Sequence, residues 1–145
     1  MRIAADGTWF HEGSRLTRPA MVRAFASLLI RDADGQHWLV TPECRQSIEV
    51  EDAAFVAVDM QPRPGPLGGA LAFRLNTDEL VLAGPENPLR AAGDAEAPAI
   101  YLAVRHGCEA RLDRSTWLQL AQFALENGEG RSVMSQRAEF SLVPA

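Results

Sequence analysis

A chain of 145 residues suits one ordinary domain, or two small lobes that must share a core because neither would bury enough surface alone. Its 47% hydrophobic and 23% charged residues exclude a disordered chain, and a net charge of −5 argues against nucleic acid or an anionic membrane surface as a partner. All fourteen basic residues are arginine, and two cysteines are too few for a disulfide framework. No run approaches the length of a membrane span, and the opening MRIAADGTWF lacks a signal pattern, so the expected compartment is the cytoplasm.

In chain order, TWFH (8–11) reads as a short strand that Gly13 ends. Thr17 has the chemistry of an N-cap and Pro19 suits a first helical turn. Val22, Phe25, Ala26 and Leu29 follow at helical spacing. Asp34-Gly35 marks a turn into the strand HWLVT (37–41). SIEVE (47–51) alternates as a half-buried strand does, and AFVAVDM (54–60) is dense enough to be central. PRPGPLGG (62–69) reads as a stiff connection. ALAFRL and ELVLAG form a hairpin around Asn76-Thr77-Asp78, and IYLAVR and CEARL form another across His106-Gly107. Asp113 caps a helix whose apolar residues include Trp117, Leu118, Ala121, Ala124 and Leu125; SVMS and EFSLV finish as strands.

Two segments look alike. Leu16, Arg18, Val22 and Leu29 before Gly35 match Leu112, Arg114, Leu118 and Leu125 before Gly130, the first four at one constant offset. The expected fold class is therefore α+β, with duplicated strand–helix–strand units and a mostly antiparallel sheet. An N-terminal lobe would span 1–65 and a C-terminal lobe 66–145, with the boundary between 62 and 98 and a shared interface.

Arg18 and Arg114 each fall where a helix should begin. A cation there opposes the helix macrodipole, and an offence against a local rule at two matched places points to function. Free amides beside a guanidinium would make an anion site; the plainer reading is two surface arginines. The three histidines and two cysteines lack metal spacing, and neither cysteine has a base placed to activate it. Glu49, Glu51 and Asp52 crowd one segment, most simply as a solvated face. Trp9, Trp38 and Trp117 could stack on a base, although such residues more often anchor a core.

The strings DGTWFHEG, LTRPAMVRAFASLL, WLVTP and IEVEDAAFVAVDM, with the later LNTDELVLAGPENPLR and YLAVRHGCEARLDRSTWLQLAQFAL, resemble the bacterial family called domain of unknown function 1285 over nearly the whole chain. The resemblance implies a duplicated α+β core, a second lobe superficially similar to pleckstrin-homology folds, and a role in signalling without established catalysis. It implies a pocket between the lobes for an anionic, nucleotide-like ligand, with Asp6, Trp9, Arg18, Thr41, Pro42, Glu51, Asp52, Asn76 and Arg114 as the positions carried over. His11, Glu43-Cys44, Ala54, Met134, Gln136 and Arg137 depart from the family pattern. The expectation is a ligand-binding or regulatory protein, with no metal, no cofactor and no catalytic residue. The competing expectation is a protein-interaction module, and the third a minor enzyme with Glu51 or Asp52 as base.

Overall fold

The computed structural model describes residues 1–94 and 96–144. Six strands come first in the chain: β1 (Arg2–Ile3), β2 (Trp9–His11), β3 (Ser14–Arg15), β4 (Leu29–Arg31), β5 (His37–Val40) and β6 (Arg45–Val50), with helix α1 (Pro19–Ala26) between β3 and β4. They form one sheet in the order β3-β2-β1-β6-β5-β4. Six more follow: β7 (Phe55–Gly65), β8 (Gly68–Leu75), β9 (Leu80–Leu82), β10 (Leu89–Gly93), β11 (Pro98–Arg105) and β12 (Cys108–Leu112). These form a second sheet in the order β10-β11-β12-β7-β8-β9. Helix α2 (Arg114–Glu126) and a separate ribbon of β13 (Ser132–Ser135) and β14 (Ala138–Ser141) complete the chain.

The protein is thus mostly β, with 48% of the described residues in strands and 15% in helices. This corrects the expected α+β fold of duplicated strand–helix–strand units. The matched positions play different parts. Leu29 is buried in a strand, whereas Leu118 and Leu125 on α2 are 51% and 62% exposed. The residues α2 buries are Thr116, Leu120 and Ala124, one stripe at i, i+4 and i+8. α1 leads into an edge strand of the first sheet, while α2 leads into a ribbon that belongs to neither large sheet. Two apolar periodicities of 3.6 residues had been matched without the faces that pack.

The segment expected to be a connection is also regular. β7 continues through Pro62 and Pro64 to Gly65 and pairs with β8 along its length. Two prolines are tolerated there because β12 pairs only with Phe55, Val56 and Ala57. Farther along, that side of β7 has no ladder for their missing N–H groups to break. Where β12 stops, α2 takes over, and the Gln119 side chain accepts the Met60 amide at 3.2 Å.

One apolar core runs through both sheets, with Trp9, Phe55, Phe73, Leu75, Ile100 and Leu120 among its fully buried members. The chain crosses between the sheets at Ala53-Ala54, both buried. The last ribbon is fastened by Ser135, wholly buried, whose hydroxyl accepts the Leu71 amide at 2.8 Å and donates to the Ala83 carbonyl at 2.7 Å. Ser135→Ala strands the Leu71 amide, while the Ala83 carbonyl keeps the Gln136 side-chain donor at 3.0 Å, and should cost about 1–3 kcal/mol, read as a lower midpoint in urea denaturation with an unchanged slope.

Candidate functional site: a polar pocket between the two sheets

The site begins with a hairpin. Asp34 and Gly35 sit at the turn between β4 and β5, and Gly35 has a φ of +86°, a conformation glycine adopts without strain. The Asp32 carboxylate accepts the amides of Asp34 and Gln36 at 3.0 and 2.9 Å and the Trp38 indole N–H at 2.9 Å. The last bond is the main reason its pKa lies below the ordinary value. A loop tied this firmly fixes the register of the strands, so Arg31 and His37 stand directly opposite one another across β4 and β5, side by side on one face.

The second wall is the outward face of the second sheet. Arg90, Tyr101 and Arg111 occupy matched positions across β10, β11 and β12. The Arg90 and Arg111 guanidiniums lie 4.4 and 6.0 Å from the Tyr101 ring centroid, a cation–π arrangement. Two residues before Arg111, and so on the same face, Glu109 receives a two-point pairing from Arg90 at 3.0 and 2.9 Å. Arg31 reaches the same carboxylate at 3.5 Å across the seam. Asp52, on the crossing between sheets, accepts the Tyr101 hydroxyl at 2.7 Å and Arg111 Nη1 at 2.6 Å. Burial and the bond to Asp52 both push the Tyr101 pKa up.

These groups enclose a pocket of about 170 Å³. His37 lines it while only 8% exposed, and its imidazole forms no hydrogen bond among the described residues. Burial first, then the nearby Arg31 charge, lower its pKa, so the ring is neutral at pH 7 and offers one N–H and one lone pair. Arg31 is similar: of the five donors a guanidinium carries, the structure engages one, at 3.5 Å.

Of the nine positions carried over from the family resemblance, Asp52 alone lines this pocket, which also takes in His37, one of the three histidines without metal spacing. Asp6 and Asn76 line a second cleft of about 360 Å³ between α1 and the β8–β9 turn. Asp6 closes a local turn by accepting the Thr8 amide at 2.9 Å, and the Asn76 side chain accepts the Val56 amide at 3.1 Å. Trp9 also borders that cleft, but it is 2% exposed and stacks on Phe25 with ring centroids 6.3 Å apart, so it offers no open face to a base. Thr41 accepts the Cys44 amide at 3.1 Å, which shapes the β5–β6 turn that contains Pro42. Glu51 accepts the Ala5 amide at 2.9 Å.

The two arginines are not brought together in one cavity. Arg18 is itself the N-cap of α1 and makes no side-chain cap; Pro19, not Arg18, is the first helical residue. Arg114 begins α2 behind a conventional cap, the Asp113 carboxylate accepting the Thr116 amide at 2.9 Å. It borders a hollow of about 580 Å³ with Arg111 and Trp117, in which Arg18 takes no part. Among the described residues no group of three or more His, Cys, Asp or Glu is placed to hold a metal ion, and no helix is long and apolar enough to cross a membrane.

Models of the two halves of one family match the chain: the N-terminal domain of the domain of unknown function DUF1285 over residues 1–53, and the C-terminal domain over residues 54–142. The chain belongs to the DUF1285 family. The junction of the two matches falls at Ala53-Ala54, where the chain crosses between the sheets. A crystal structure of a DUF1285 family protein from Silicibacter pomeroyi DSS-3 is 36% identical and superposes with a TM-score of 0.84, over 100% of this chain and 80% of that one. A DUF1285 family protein from Shewanella baltica OS155, at 23% identity and a TM-score of 0.66 over 83% of this chain and 89% of that one, shares the fold. No curated protein matches the sequence.

Two outcomes follow for this DUF1285 chain. The unfolded His37 takes a proton near its ordinary value of 6.5, whereas the folded one resists it. Stability should therefore fall as pH drops below about 6.5, because the unfolded state binds more protons there. His37→Gln should flatten that part of a melting-temperature profile and leave the region above pH 7 unchanged in slope. Cys108 is buried with its thiol pKa pushed up to about 11, while Cys44 is exposed; since thiolate and access control reactivity, iodoacetamide should label Cys44 in the folded protein and reach Cys108 only after denaturation, as read by peptide mass spectrometry.

Proposed function

We propose that this protein is a small-molecule sensor or regulatory module whose pocket between the two sheets binds an anionic ligand. The observation that carries the reading is His37 beside Arg31: a largely buried imidazole with no hydrogen bond among the described residues, facing an arginine whose one polar side-chain contact is the 3.5 Å approach to Glu109. The imidazole nitrogens are not sealed from solvent, so an N–H and a lone pair stand available to a ligand entering the pocket. Convergent polar groups in a concavity are what a binding site presents, and the pocket draws its walls from both halves of the chain. A ligand held there would link the sheets, which is how a signal could be read by a partner.

The volume favours an anion smaller than a nucleotide. At about 170 Å³ the pocket lies below the roughly 300–1,000 Å³ of sites for drug-sized molecules. A second reading, a protein-interaction module, is favoured by the outward Leu118 and Leu125 on α2; it requires no ligand in the pocket.

A thermal-shift screen with small carboxylates, inorganic phosphate and nucleoside monophosphates tests the reading. A ligand at 100 times its dissociation constant should add about 2.7 kcal/mol of stability. The shift should vanish in Arg31→Ala and persist in Arg114→Ala. If no anion raises the midpoint of the wild-type protein, the sensor reading fails and the interaction module stands in its place.

A further inference from the structure

The chemistry of the pocket walls narrows the ligand. The Arg31 fork is the largest unspent donor group, and a planar fork matches a planar carboxylate by two parallel N–H···O bonds. Its cross-strand neighbour His37 adds one further N–H from the same face. The remaining charges are balanced. Glu109 is matched by Arg90, and Asp52 by Arg111 and the Tyr101 hydroxyl. A dianion such as phosphate would face both carboxylates with only Arg31, held loosely by Glu109 at 3.5 Å, to meet it, whereas a single negative charge is met by that guanidinium. The size fits as well: an apolar cavity of about 150 Å³ holds benzene, a molecule of six non-hydrogen atoms, and this half-open pocket measures about 170 Å³. Its Val50 and Ala53 side chains leave a small apolar surface for a short carbon skeleton.

We propose that the pocket takes a compact monocarboxylate of about six non-hydrogen atoms, its carboxylate held by the Arg31 fork and by an N–H of His37. This rests on the reading of the pocket as an anion site and names the class of anion. His37 is then a specificity residue that also couples binding to pH. The charged and titratable groups around it are Arg31 on β4, Asp32 in the hairpin loop, Asp52 on the crossing, and Arg90, Tyr101 and Glu109 on the second sheet; β6 places Ile48 opposite it. Of these, Arg31 holds the imidazole neutral together with burial. A carboxylate laid between the two offsets the Arg31 charge and favours the imidazolium, so binding draws a proton and tightens as the pH falls toward 6.

The test uses lactate, propionate, inorganic phosphate and adenosine monophosphate as probes on the full chain. Calorimetry should show lactate or propionate binding at least tenfold more tightly than phosphate at pH 8, where inorganic phosphate is mainly the dianion, with adenosine monophosphate excluded. Proton uptake should appear as a binding heat that depends on the buffer's ionisation enthalpy. Arg31→Lys keeps the charge and loses the fork, and should weaken the carboxylates about tenfold while leaving the circular dichroism spectrum unchanged. The wild-type protein supplies a check that no variant's folding can confuse: the Cε1–H resonance of His37, assigned by its loss in His37→Gln, should move on adding lactate and titrate at higher pH. Phosphate binding more tightly than either carboxylate, or a His37 resonance indifferent to lactate while another anion binds, overturns the class of ligand and leaves the anion pocket standing. Absence of binding by all four probes overturns both.

Discussion

The fold depends on how the edge of one sheet meets the other. The Arg31 amide on β4 donates to the His106 carbonyl at 2.9 Å, which ties the free edge of the first sheet to the turn between β11 and β12. Gly107, with a φ of +78°, completes that turn. A Cβ added to it would lie 2.5 Å from the Arg31 carbonyl oxygen, so the approach is open only to glycine. An edge strand left bare would invite pairing with another chain; here its end is closed by the partner sheet. The same contact sets where the Arg31 side chain can stand, and so where a pocket can form.

Around that contact the seam is polar, and its energetics explain why it stays ordered. Two hydrogen-bonded sheets could join by apolar packing alone, as they do through the core that Ile3, Trp9 and Leu39 of the first share with Phe55, Ile100 and Leu102 of the second. At the seam, each carboxylate has a guanidinium partner in direct contact. On one flank Arg105 pairs with Glu79 and also reaches the Ala26 carbonyl at 3.4 Å. Such pairs add little net stability when exposed. Their effect is on register and direction: a mismatched seam would leave a charge unpaired, which costs several times what a correct pair contributes. Within this matched set His37, with no hydrogen bond among the described residues, and Arg31, whose contact with Glu109 is long at 3.5 Å, are the least satisfied, and a departure from a locally consistent rule is where function is expected.

Much of the local structure was legible in the sequence. The Asp34-Gly35 and His106-Gly107 turns gave two hairpins, and the Asp113 carboxylate caps α2 by accepting the Thr116 amide. The global class was not legible, for a physical reason. Apolar spacing shows that a segment has a face, but not which of several apolar residues will be buried. In α2 the choice fell on Thr116, Leu120 and Ala124 because β7, β12 and β13 pack on that side, and Leu118 and Leu125 were left outside. Pro62 and Pro64 suggested a loop, and only the short reach of β12 along β7 made a strand possible. The helix starts themselves were legible, Arg114 opening α2 behind Asp113 and Arg18 standing at the N-cap of α1; the likeness in spacing between them did not carry a likeness in surroundings.

The pocket was hidden for a different reason, and one signal could have revealed it. A turn centred on Asp34-Gly35 fixes a register, and that register places Arg31 opposite His37. Neither residue is unusual alone, since an arginine and a histidine near a turn are ordinarily solvated. What changes their meaning is the second sheet, whose contribution arrives from Arg90, Tyr101 and Glu109, far along the chain. A site assembled from two halves cannot be read in either half. Asp52 was singled out because it sits at the crossing between them, and of the residues named from the sequence it is the one that both sheets use, through Tyr101 and Arg111 on one side and the pocket it shares with His37 on the other. A ligand at that point would bear on the covalent crossing between the two halves and on the charges that flank it, so its binding free energy would act directly on the stability of the seam.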